Sequence, residues 1–143
     1  MHFLKKIHLI ILFLVFACPV MLYSQAKNDS IKTYGDIIGT KQDTAWNNLY
    51  TVWHSNFFYD CLSNNNLRIS CAHYCDAVYM DIDFKIDDKG FVTEHRIINQ
   101  SMCGDNFTEK LKNCFLTYFL SVTFPVELRN IVLEVRLGSV LKC

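Results

Sequence analysis

Hydrophobic and polar positions change period along this chain, and each change marks an element. Trp46, Leu49, Tyr50, Trp53, Phe57 and Cys61 fall at i, i+3, i+4, i+7, i+11 and i+15, the spacing of one helical face. Asp43 or Thr44 is the expected N-cap. The cluster Ser63, Asn64, Asn65, Asn66 should end the helix near Leu62, because such side chains compete for its backbone hydrogen bonds. From Val78 the period drops to two: Val78, Met80, Ile82, Phe84 and Ile86 share one face, and Tyr79, Asp81, Asp83 and Lys85 the other. Asp87-Asp88-Lys89-Gly90 supplies a turn, so residues 91–98 complete a β-hairpin. After a turn region at 99–104, Asp105 is the expected cap of a helix carrying Phe107, Leu111, Cys114, Phe115, Tyr118 and Phe119 on one stripe. Pro125 blocks its continuation, and Ile131, Leu133, Val135 and Leu137 alternate with Val132, Glu134 and Arg136 in a last strand. The order helix, strand, strand, helix, strand predicts a two-layer α+β domain, an antiparallel sheet of about three strands with two helices on one face.

The N-terminus follows other rules. Lys5 and Lys6 precede an apolar run at 9–23, and Ser24-Gln25-Ala26 is a small-x-small site, so residues 1–26 read as a secretory signal peptide. An uncleaved anchor is the rival reading, but the run is 15 residues long and broken by Pro19, against roughly 20 for a bilayer span. A lipid-carrying cysteine at Cys18 is a further alternative. Residues 27–42, polar and without periodicity, read as a flexible lead-in, and 43–143 as a single domain.

Charge and cysteine content narrow the function classes. With 14 Lys+Arg against 14 Asp+Glu and no basic block, the chain lacks the electrostatic footprint that phosphate backbones require, so no nucleic-acid partner is expected. Removal of the signal leaves six cysteines, Cys61, Cys71, Cys75, Cys103, Cys114 and Cys143. In an exported protein these imply disulfides, among 15 possible pairings. Cys71 and Cys75 can join only across a helical turn or tight loop, since four residues of strand span about 13 Å against a Cα limit near 7 Å. Cys114, on the core face of its helix, could equally be an apolar filler.

Catalytic chemistry is sparse. Asp81 and Asp83 share a strand face and could share a proton, although a solvated face with Lys85, Glu134 and Arg136 as partners is the ordinary reading. Cys61, Cys71, His73 and Cys75 form a candidate metal set, but their spacing is not the usual zinc knuckle and an oxidising compartment favours disulfides. His54 and His95 stand alone. No nucleophile elbow, thioredoxin motif, zincin motif or glycine-rich phosphate loop occurs. No cofactor is expected, and the chain is expected not to be an enzyme.

Residues 79–141 carry a further pattern: an aliphatic strand running into Asp87-Asp88-Lys89-Gly90, a second strand opening Phe91-Val92-Thr93, an amphipathic helix, Phe124-Pro125 and a last alternating strand. This resembles the C-terminal domain of the TonB energy-transducer superfamily. The resemblance implies a periplasmic domain that adds a strand from a partner peptide. It makes Gly90 the hairpin turn and Phe124-Pro125 the helix-to-strand junction. Pro19 and Pro125 are the only prolines, so the family's proline-rich spacer is missing, and the six cysteines are additional.

The expectation is therefore an exported module, periplasmic or secreted, stapled by disulfides, that binds an envelope or secreted protein through a sheet edge in 91–98 or 131–137. Its alternatives are a secreted enzyme or metal-binding protein using residues 61–75, and a transducer subunit that touches the membrane only if residues 9–23 stay attached.

Overall fold

In a computed structural model the described residues are 31–69, 77–102 and 107–140. They form β1 (Ile31–Thr33), α1 (Tyr34–Ile37), α2 (Lys41–Trp53), a π-helical turn (His54–Phe58), α3 (Tyr59–Asn64), β2 (Ala77–Ile86), β3 (Val92–Met102), α4 (Glu109–Ser121), a 3-10 turn (Val126–Leu128) and β4 (Ile131–Val140). The two-layer α+β expectation holds, with one strand more than expected. The sheet has four strands in the order β1, β4, β2, β3, and β1 joins β4 in parallel, so the sheet is mixed.

The additional strand comes from the stretch expected to be a loose lead-in. Ile31, Lys32 and Thr33 pair with Val132, Leu133 and Glu134. Ile37 is fully buried, and the Lys32 ammonium donates to the Gln42 side chain, whose amide in turn donates to the Glu127 carbonyl. These partners lie far away in sequence, which is why local composition did not reveal them. The cap of α2 also differs from expectation. Thr40 Oγ1 accepts from the backbone N–H groups of Gln42 and Asp43, and Asp43 instead accepts from the Gly39 N–H at 2.9 Å.

The first apolar stripe is shifted by the π-helical turn. Its wider turn brings Phe58 under Trp53, with ring centroids 5.4 Å apart, and leaves Phe57 at the surface, 37% exposed. Trp46 stacks on Phe119 at 5.4 Å, and the Trp53 indole N–H donates to the Phe115 carbonyl of α4, so both tryptophans are core residues. The cap of α4 is Thr108, whose hydroxyl accepts from the Leu111 N–H; Asp105 lies outside the described residues.

β2 is the central strand. Its inward residues Val78, Met80, Ile82, Phe84 and Ile86 are at most 1% exposed, and Phe84 meets Phe119 and Phe124. Leu133, Val135 and Leu137 of β4 complete the layer as the alternation required.

Two glycines are needed by geometry. Gly90 has φ +92°, and its carbonyl accepts from the Phe124 N–H at 2.7 Å, so hairpin and junction are one structure. Gly138 has φ +131°, and a Cβ there would stand 2.1 Å from the Val78 carbonyl oxygen.

Candidate functional site

β3 borders the sheet, with β2 on one side and no strand on the other among the described residues. Register with β2 skips Thr93 and Ile98, so two bulges divide the edge into 94–97 and 99–102. The bulges set the inward positions at Val92, His95, Ile97, Gln100 and Met102, opposite Ile86, Phe84, Ile82, Met80 and Val78. His95 and Gln100 are exposed even on that side, while Val92, Ile97 and Met102 pack on the core, so the helical layer covers β3 only in part. Ile98, the bulged residue, is 47% exposed, and Phe91 at the strand's mouth is 49% exposed.

The second expected edge is less open. β1 covers β4 at Val132, Leu133 and Glu134. Farther along, the Gly138 carbonyl receives the Tyr50 hydroxyl at 2.6 Å, and burial raises the Tyr50 pKa, which keeps that donor protonated.

The uncovered sheet face is polar. Both Nε and Nη2 of Arg96 donate to one oxygen of Asp83, at 3.0 and 2.7 Å, and Arg136 holds Asp81 in a two-point grip at 2.7 and 3.1 Å. The Arg136 guanidinium also lies 3.9 Å above the Tyr79 ring, and its hydrogen bonds to Asp81 push its pKa up. Lys85 stands 3.5 Å from Glu94. Asp81 and Asp83 are each engaged by their own arginine, which is the arrangement of a structural face and not of two carboxyls sharing one proton. Arg136 was a foreseen partner; Arg96 was not, because the bulge at Thr93 moves it opposite Asp83.

Cys61 is bonded to Cys114, with Cα atoms 5.6 Å apart, joining α3 to α4. The bond removes Cys61 from the candidate metal set and excludes the filler reading of Cys114. Cys71, His73, Cys75, Cys103 and Cys143 lie outside the described residues. Among the described residues no three His, Cys, Asp or Glu side chains are grouped to hold a metal, and no helix is long and apolar enough to cross a membrane.

His54 opens the π-helical turn. Its ring stacks on Phe58 at 4.8 Å, and Tyr59 approaches edge-on at 5.3 Å. Burial lowers its pKa, which favours the neutral ring in this aromatic setting. No acid or nucleophile joins it by a hydrogen bond among the described residues. Gly90, Phe124 and Pro125, assigned structural roles by the resemblance, meet at one corner, where Arg129 Nε also donates to the Phe124 carbonyl. Compared with known proteins, the chain matches no protein-family model, no curated protein and no solved structure.

Proposed function

We propose that this protein is an exported, disulfide-stabilised binding module of the cell envelope, and that it takes up an extended segment of a protein partner along β3. The observation that carries this reading is the outer side of β3, an eleven-residue strand with no strand paired there among the described residues. Main-chain N–H and C=O groups on such an edge hydrogen-bond to any extended chain, so recognition needs no special side chains. That accords with a sequence without catalytic motifs, with the signal-like residues 1–26, and with the strand addition implied by the TonB-like pattern. The bulges at Thr93 and Ile98 limit pairing to about four residues at a time, a guard against indiscriminate edge-to-edge association.

The test has two arms. Intact mass of the natively exported protein, before and after reduction, should give a soluble species beginning at Lys27 with disulfides formed; a full-length, membrane-bound species with free thiols would overturn export and cleavage. Peptides selected for binding from a random display library should protect amides 92–102 from exchange, and backbone N-methylation of those peptides should abolish binding. Ligands that protect another surface, or that tolerate N-methylation, would overturn strand addition.

A further inference from the structure

An open groove of about 570 Å³ runs between α2 and the chain that links α4 to β4. Its accessible apolar lining comes from Ala45 and Leu49 on the helix and from Pro125 across the gap, with Phe124 fully buried behind it. Ala45 and Leu49 are partly buried against the core, so this surface is a continuation of the core and not a mobile flap. The size suits a small ligand, since pockets for such molecules run from about 300 to 1,000 Å³.

The charges on the groove are unequal. Lys41 and Arg129 line it with one acid, Glu127. Arg129 is held in place: its Nε donates to the Phe124 carbonyl at 3.3 Å, and its side chain lies against Gly90. Its terminal nitrogens, and the Lys41 ammonium, have no hydrogen-bond or ion-pair partner among the described residues. A fixed guanidinium is a planar donor suited to a carboxylate, and here it adjoins an aliphatic floor of Ala45, Leu49 and Pro125.

We propose that this groove binds a single-chain amphiphile with an anionic head, its tail over Ala45, Leu49 and Pro125 and its carboxylate on Arg129 and Lys41. The site lies apart from the β3 edge, so the two readings stand or fall separately.

The probe is decanoate, titrated into the oxidised protein and followed by amide chemical shifts. Binding should saturate, with shifts concentrated at 41–49 and 123–129. Arg129→Gln removes the head contact and should weaken decanoate about tenfold, the effect of one lost charged hydrogen bond, and Thr44→Glu, an acid added to the lining at an exposed helix position, should weaken it by like-charge repulsion. Glu127→Gln should tighten it, a gain that loss of folding cannot mimic. Decanol should bind all four proteins alike. Failure to saturate, shifts elsewhere, equal affinity for decanoate in all the variants, or stronger binding of an apolar tripeptide carboxylate would overturn the proposal. If Arg129→Gln does not fold, the opposed effects of Thr44→Glu and Glu127→Gln decide it.

Discussion

The two faces of β2 are made from alternate residues of one strand, yet different forces hold them. Toward the helices, Met80, Ile82 and Phe84 are fully buried among aromatic rings. Toward the open side, Asp81 and Asp83 are gripped by arginines whose side chains are 52% and 67% exposed. Burial of apolar area contributes in proportion to the area removed from water, about 25 cal/mol per Å², whatever the orientation of the neighbours. A surface ion pair such as Asp81–Arg136 contributes at most about 1 kcal/mol and weakens with salt, whereas the buried Asp83 depends on Arg96 to offset its desolvation. The domain thus concentrates its stability on one face and leaves the other, the buried Asp83 and its arginine apart, free to differ in charge at small cost.

The sharpest challenge to this contrast is Phe84→Ala, which empties the centre of the aromatic cluster and should lower stability by about 4 kcal/mol in chemical denaturation. The double variant Cys61→Ala, Cys114→Ala should cost about 3 kcal/mol, because the closed loop is long, and reductant should lower the stability of the parent protein by at least as much. Gly138→Ala acts on the backbone between the faces and should cost about 2 kcal/mol, through a strained φ and a collision with the Val78 carbonyl. Arg136→Ala, on the open face, should cost about 1 kcal/mol, with the difference from the parent shrinking as salt rises. A loss equal to that of Phe84→Ala would end the contrast.

The smallest expected effect is a pH dependence at the hairpin. The Asp87 carboxylate accepts from the Phe91 N–H at 2.8 Å and the Lys89 N–H at 2.9 Å, and these bonds, the former foremost, hold its pKa below the usual carboxylate range. A pKa depressed by folding adds stability that is complete above the unfolded value, near pH 4, and is lost as pH falls through the lower folded value. Asp87→Asn should therefore flatten acid unfolding below about pH 4 and leave the salt response of the open face unchanged.

Legibility in the sequence followed the range of the interactions. β2 was readable because its alternation runs through the nine residues 78–86 without interruption, and the junction of Phe124 and Pro125 stood out because proline ends a helix. The exchange of Phe57 for Phe58 was not readable. A π-helical turn adds one residue to a turn, and nothing in His-Ser-Asn-Phe-Phe announces it. Pairing of Asp83 with Arg96 escaped for a related reason, since counting outward from Gly90 without the bulge at Thr93 sets His95 opposite Asp83. β1 escaped because its partners lie about a hundred residues away. The candidate edge in β3 was foreseen from the hairpin, whereas the groove at Arg129 depends on α2 meeting a distant loop and left no local pattern.

The bond between Cys61 and Cys114 has a consequence in covalent topology. It closes residues 61–114 into a ring that contains both strands of the hairpin, while α2 and β4 belong to the tails outside it. A protease that nicks the chain anywhere from 62 to 113 opens the ring without dividing the molecule. The nicked protein keeps one mass, heavier only by the water of hydrolysis, and separates into two pieces only when a reductant is added. The hairpin is thus a part of the chain that can be cut without releasing a fragment.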